Sequence, residues 1–270
     1  MADTRNQISN DITAGVVYHT FGPVPVSARA QAAELVTILT EVAPRDVISA
    51  KVKVKHDESR RSGQQCLVEG KLAMHGATVR SQAAAATATE ALRAVGDKLE
   101  RRLARLAERR SRARQRPPPS TSRTWRSDEP GRPEFGHRPA AERAVVRRKT
   151  YPPTEPTSIA EAVFDLDMMD YRFFMFTDRA DDTPSIVYET GDLGLAVHKV
   201  DGSRPDAGAT RADIAVNETP APVISLAEAV SHLNTSEKAF IFFSDPDRAD
   251  PGVLYRRYDG HYGLITPASA

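Results

Sequence analysis

Apolar residues recur along the chain with two periods, and the switches between them mark the elements. Val16 to Phe21 is a β-rich run closed by Gly22-Pro23. From Ser27, placed to cap a helix, Ala32, Leu35, Val36 and Leu39 recur at helical spacing as far as Ala43, and Pro44 ends the pattern. Ile48 to His56 alternates. Ala50, Val52 and Val54 face one way and Lys51, Lys53 and Lys55 the other, as in a half-buried strand with a basic outer face. Glu58 to Gln64 is a polar turn containing Gly63. Gln65 to His75 then alternates with Cys66, Val68, Leu72 and Met74 inward. Gly76-Ala77 is a tight turn, and Thr78 to Ala83 reads as a further strand. A long helix follows from about Thr87 to Arg112, with Leu92, Val95, Leu99, Leu103 and Leu106 in one stripe. The order is β-α-β-β-β-α over residues 1–112, a helix-backed sheet.

Residues 113–143 lose this pattern. The run Arg116-Pro117-Pro118-Pro119-Ser120 and its surroundings are rich in Pro, Arg and Ser, which predicts a disordered linker. The pattern that resumes is a repeat at an offset of 67. Ser158-Ile-Ala-Glu-Ala-Val163 matches Ser225-Leu-Ala-Glu-Ala-Val230, and 12 of 35 aligned pairs are identical, Phe173 with Phe240, Phe176 with Phe243 and Tyr188 with Tyr255 among them. Each copy predicts a short helix (159–166 and 226–233), an apolar strand (173–177 and 240–244), an Asp/Pro turn, a strand through the Tyr and a short final strand. The predicted modules are 144–200 and 221–270, joined by a linker at 201–220. A module of about 50 residues buries little surface alone, so two copies gain by packing together. The fold class is therefore α+β: one β-α-β-β-β-α domain and two tandem small α+β modules.

Charge divides the chain. Residues 1–116 carry 20 Lys and Arg against 12 Asp and Glu, residues 117–149 carry 8 against 4, and residues 150–270 carry 9 against 20. The front suits a polyanion and the acidic back does not. On the long helix Lys98, Arg101, Arg102, Arg105, Arg109 and Arg112 lie mostly away from the apolar stripe, and Arg110 joins them in the same run. Lys51, Lys53, Lys55 and Arg80 add charge from the sheet. Arginine suits phosphate because its planar fork binds in two places at once.

Other chemistries find little support. Cys66 is the one cysteine, which excludes an internal disulfide, and its inward position reads as a buried thiol. The seven histidines are scattered, none at metal-ligand spacing. Asp245-Pro-Asp-Arg-Ala-Asp250 lacks the glycine and distal glutamate of a calcium loop. No phosphate-cradling glycine loop or Ser/His/Asp signature stands out. The expectation is a protein without enzymatic activity and without cofactor or metal. A polar N-terminus and the lack of a long apolar segment predict a cytoplasmic protein with no membrane partner. The aromatic residues Phe173, Phe174, Phe176, Tyr188, Phe240, Phe242, Phe243 and Tyr255 sit in acidic modules that would repel an RNA backbone, so packing between modules is their expected role.

The chain closes on Val253-Leu-Tyr-Arg-Arg-Tyr-Asp-Gly-His-Tyr-Gly-Leu-Ile-Thr-Pro267. This resembles the "VVYRR-DG-YGLI-P" tail of long-form bacterial ribosome hibernation-promoting factors. Val145-Val-Arg-Arg-Lys-Thr-Tyr151 is similar to the "IVR-K-Y" strand that leads that domain, and Phe173-Phe-Met-Phe176 to its "FFxF" strand. Gly76-Ala-Thr-Val-Arg80 and Ala91 to Leu103 are similar to the last strand and "DKLERQL" helix of the family's N-terminal domain.

Two features depart from the usual long form. There are two C-terminal copies instead of one, and Glu189-Thr190 stands in the first where Arg256-Arg257 stands in the second. The two-tail layout is similar to an actinobacterial branch associated with hypoxia and dormancy. The resemblance implies a stoichiometric inhibitor that binds small-subunit rRNA and ribosomal proteins in the channel for mRNA and tRNA at the decoding centre, blocking translation and protecting idle ribosomes. Among polyanions it selects RNA, with Lys51, Lys53, Lys55, Arg80, Lys98, Arg101, Arg102, Arg105, Arg109, Arg110 and Arg112 as the expected contacts. The tandem modules are expected to pair within the chain, holding single ribosomes, the alternative being a homodimer. A nucleic-acid-binding transcription regulator is the rival function, disfavoured by the lack of a helix-turn-helix pattern.

Overall fold

The structure, a computed structural model, describes residues 11–13, 16–58, 60–113, 133–136, 138–151, 155–190, 194–206, 214–247 and 251–267. The chain divides into two compact units. The first is Met1–Glu134 with the tripeptide Met168–Asp170, and the second is Phe135–Asp167 with Tyr171–Ala270.

The first unit follows the expected order, preceded by one short strand. β1 (Asp11–Thr13), β2 (Val16–Phe21), α1 (Val26–Val42), β3 (Val47–His56), β4 (Cys66–Met74), β5 (Ala77–Ala85) and α2 (Ala88–Ala113) succeed one another. The sheet runs β1-β2-β3-β4-β5, with β2 and β3 parallel and the other neighbours antiparallel. The parallel step requires a crossover, which α1 supplies. Ser27 does not cap α1: the helix starts at Val26 after Pro25, without a side-chain cap. Thr87 does begin α2, where its hydroxyl accepts from the Glu90 amide and the Glu90 carboxylate accepts from the Thr87 amide.

The alternation and the helical stripes meet in one core. Ala50, Val52, Val54, Val68, Leu72, Val79 and Ala83 point to the helices, and Ala32, Val36, Leu39, Leu92, Val95, Leu99, Leu103 and Leu106 lie buried on the helix side. Gly70 allows α2 to sit close on the sheet. A Cβ there would lie 2.8 Å from Val95 and 2.9 Å from Leu99.

The second unit contains both copies. The first supplies α3 (Ile159–Met168), β7 (Phe173–Thr177), β8 (Pro184–Glu189) and β9 (Leu195–Lys199). The second supplies α4 (Leu226–Thr235), β11 (Phe240–Ser244), β12 (Pro251–Arg256) and β13 (Tyr262–Pro267). The repeated Ser-x-x-Glu is a capping box in each: Ser158 with Glu161, and Ser225 with Glu228.

The strands that lead the copies are exchanged. β6 (Val145–Tyr151), which precedes the first copy, pairs in parallel with β13 of the second. β10 (Ile214–Asn217), which precedes the second, pairs in parallel with β9 of the first. The two sheets are thus β10-β9-β8-β7 and β11-β12-β13-β6.

The exchange alters the expected linkers. Residues 201–220 hold β10, and the Ala221 amide returns to the Val200 carbonyl. Within 113–143, residues 114–132 and 137 lie outside the described residues, but the segment from Phe135 is docked. Phe135 stacks on Tyr258 at 5.8 Å, the Gly136 amide donates to the Tyr258 carbonyl, and Arg143 donates to Asn234 and Tyr262.

Candidate nucleic-acid interface

Both layers of the first unit carry cations. With the helices on one face, the other face of the sheet is set by strand register. Lys51, Lys71 and Arg80 form one cross-strand row, and His19, Lys53, Glu69 and Gln82 form the next. Glu69 is shared by Arg80 at 2.6 Å and Lys53 at 3.4 Å, and Lys55 is 3.0 Å from Asp57. Burial alone would raise the Glu69 carboxyl, but the Arg80 guanidinium and the Lys53 ammonium outweigh it and hold the pKa below the usual glutamate range. Burial lowers the His19 pKa, and Lys51 and Lys53 lower it further, which favours the neutral imidazole. Arg80 also donates to the Gln82 side chain and the Met169 carbonyl.

On α2 the expected basic residues divide into three groups. Arg101 and Arg109 are exposed and Arg105 is half-buried. Lys98 and Arg102, expected on the solvated face, are fully buried instead. The Lys98 ammonium donates to the Gln82 carbonyl at 3.0 Å. Arg102 donates to the Ser81 hydroxyl at 2.8 Å and pairs with Asp170 at 2.8 Å, and the Gln82 amide donates to the same carboxylate at 2.9 Å. The two residues stand one turn apart, flanking the apolar stripe on the side of β5, where they meet the polar groups of that edge strand. Arg110 donates to the Pro44 carbonyl and so ties the end of α2 to the end of α1. The side chain of Arg112 lies outside the described residues.

Lys71 was not among the expected contacts. Its signal is the alternation of Gln65–His75, which turns Leu67, Glu69 and Lys71 outward, opposite Lys51 and Lys53.

The expected packing residues separate by strand alternation. Phe173, Tyr188, Phe240 and Tyr255 meet between the sheets, with ring centroids 4.8 Å apart for Phe173–Phe240, 5.6 Å for Phe173–Tyr255 and 5.4 Å for Tyr188–Phe240. Phe242 joins Met175, Ile186, Ala221 and Val253 there. Phe243 faces the other way, into a core with Ala229 and Leu233 of α4, and Phe174 and Phe176 have the same parity on β7.

Cys66 is buried with its thiol 3.1 Å from His56 Nδ1. Burial, and then the Glu90 carboxylate, push its pKa up, which disfavours the reactive thiolate. Among the described residues no helix is long and apolar enough to cross a membrane.

Residues 140–197 and 214–264 match the family described as "Sigma 54 modulation/S30EA ribosomal protein C terminus", and residues 26–111 match "Sigma 54 modulation protein / S30EA ribosomal protein". The chain is 35% identical over 146 residues to a Mycobacterium tuberculosis protein named dormancy associated translation inhibitor, a match that covers 51% of this chain and 53% of the relative. It thus spans about half the length of that relative. A second M. tuberculosis protein, named ribosome hibernation promotion factor, is 29% identical over 167 residues, 56% of this chain and 76% of the relative. A ribosomal subunit interface protein from Coxiella burnetii matches 34% of this chain and 97% of its own, at 12% identity and a TM-score of 0.29.

Proposed function

Because the chain belongs to the sigma-54 modulation/S30EA ribosomal protein family, we propose that it is a cytoplasmic ribosome hibernation factor that binds small-subunit rRNA and blocks translation. The observation that carries the reading is the cationic side of α2. Arg101, Arg105 and Arg109 project from it at i, i+4 and i+8, a row that can follow a phosphate backbone without reading bases. The names of the mycobacterial relatives support the same reading. Inhibition here is occupancy: the unit fills the mRNA and tRNA channel, and no group has to make or break a bond.

The second unit serves this function by pairing its own copies. The exchanged strands and the reciprocal ring contacts support pairing inside one chain, which uses the face a second chain would otherwise need and keeps ribosomes single.

In-vitro translation is the test. Residues 1–170, which keep Asp170 against Arg102, are expected to sediment with small subunits and suppress protein output. Normal output at saturating amounts of this fragment and of the full chain would overturn the reading.

A further inference from the structure

On the sheet face opposite α2, the register of β3 and β4 sets Lys51 directly across from Lys71. Like charges at such positions destabilise an antiparallel pair. The nearby carboxylates do not relieve them: Glu69 is engaged by Arg80 and Lys53, and Asp57 by Lys55. Among the described residues neither Lys51 nor Lys71 has a counter-ion. One row away on the same face, His19 Nε2 is shielded from solvent and has no hydrogen-bond partner. Two uncompensated ammonium groups facing each other across β3 and β4 make a receptor for a single compact anion.

We propose that Lys51 and Lys71 together hold one RNA backbone phosphate, a contact separate from the arginine row on α2. The inference rests on the reading of this unit as an rRNA-binding domain and adds a second place where the RNA touches it. The sheet lies between the two sets of cations, so one phosphate cannot serve both. Lysine suits this place, since its flexible stem lets two point charges converge on one oxygen group.

The test uses the full chain and vacant bacterial small ribosomal subunits, with affinity measured across a salt series. The K51Q/K71Q double variant is expected to bind more weakly and to flatten the slope of log affinity against log salt by roughly 0.7–0.9, the worth of one phosphate and not two. Free of ribosomes, K71Q is expected to melt higher than the parent at low salt, because the repulsion is gone. An R101Q/R105Q/R109Q variant is the control. If it binds weakly while K51Q/K71Q keeps the parental affinity and slope, this inference fails and the ribosome reading stands. If the parent does not bind subunits, that reading itself fails. Inorganic phosphate supplies the last arm. Should it raise the melting temperature of the parent but not of K51Q/K71Q, with subunit affinity equal for both, the site takes free phosphate and the RNA assignment is overturned.

Discussion

Phe173 and Phe240 hold the same place in the two C-terminal copies, and their rings meet 4.8 Å apart. A residue packs against its own equivalent only beside a twofold axis. The neighbouring contacts obey that axis: Tyr188 meets Phe240 at 5.4 Å, and its equivalent Tyr255 meets Phe173 at 5.6 Å. The arrangement has the form of a symmetric dimer interface within a single polypeptide. Ribosomes saturated with the full chain are therefore expected to sediment as single particles. A dominant peak of ribosome pairs would mean that the copies exchange between chains. Phe240→Asp should disrupt the second unit by about 3–5 kcal/mol, read by urea unfolding.

The arginine row makes a separate prediction about salt. Arg101, Arg105 and Arg109 each neutralise up to one phosphate, so replacing all three with Gln should flatten the salt slope by roughly 2–3 and weaken binding to every RNA sequence alike. A variant with parental slope and affinity would show that the row is only a solvated surface.

Arg102 behaves differently from its neighbours. It forms a fully buried pair with Asp170, and Arg102→Ala takes the guanidinium away from that buried carboxylate. A loss of about 3–5 kcal/mol is expected in chemical unfolding of the full chain, against less than about 0.5 kcal/mol for exposed Arg101→Ala. Equal effects of the two substitutions would contradict the burial.

Glu69 sets an acid limit on the first unit. Its carboxyl has a lower pKa folded than unfolded, so its charge stabilises the fold above the usual glutamate range, about pH 4, and the contribution disappears as pH falls through the lowered value. Glu69→Gln should be less stable than the parent near pH 7, and the gap should close on acidification. A gap independent of pH would rule out the electrostatic origin.

Much of this architecture was legible in sequence because it rests on local periodicity. The Ala50/Val52/Val54 alternation, the Leu92-to-Leu106 stripe and the repeat at offset 67 each report a buried face that the structure contains. What escaped depends on pairing between distant segments. β10 was hidden in an expected linker, since Ile214–Asn217 shares little with Arg147–Thr150 at the same offset and the repeat announces itself only from Ser158 and Ser225. Lys98 and Arg102 read as solvated because their partners, the Gln82 carbonyl, Ser81 and Asp170, lie on other elements. Lys71 had a visible outward parity, but its position opposite Lys51 needed the register.

The exchange of β6 and β10 also orders events during synthesis. β6 emerges early, yet Val145 pairs with Tyr262 of β13, which is made more than a hundred residues later. The first unit can fold while the ribosome is still translating the repeats, whereas the sheet that receives β6 closes only after residue 267 has been added. Until then β6 lacks its partner, and its run of Arg147, Arg148 and Lys149 places charge on an unpaired edge, which discourages association with other nascent chains. A stop codon before residue 262 would make that waiting state permanent, leaving an intact first unit followed by a tail that cannot complete its fold.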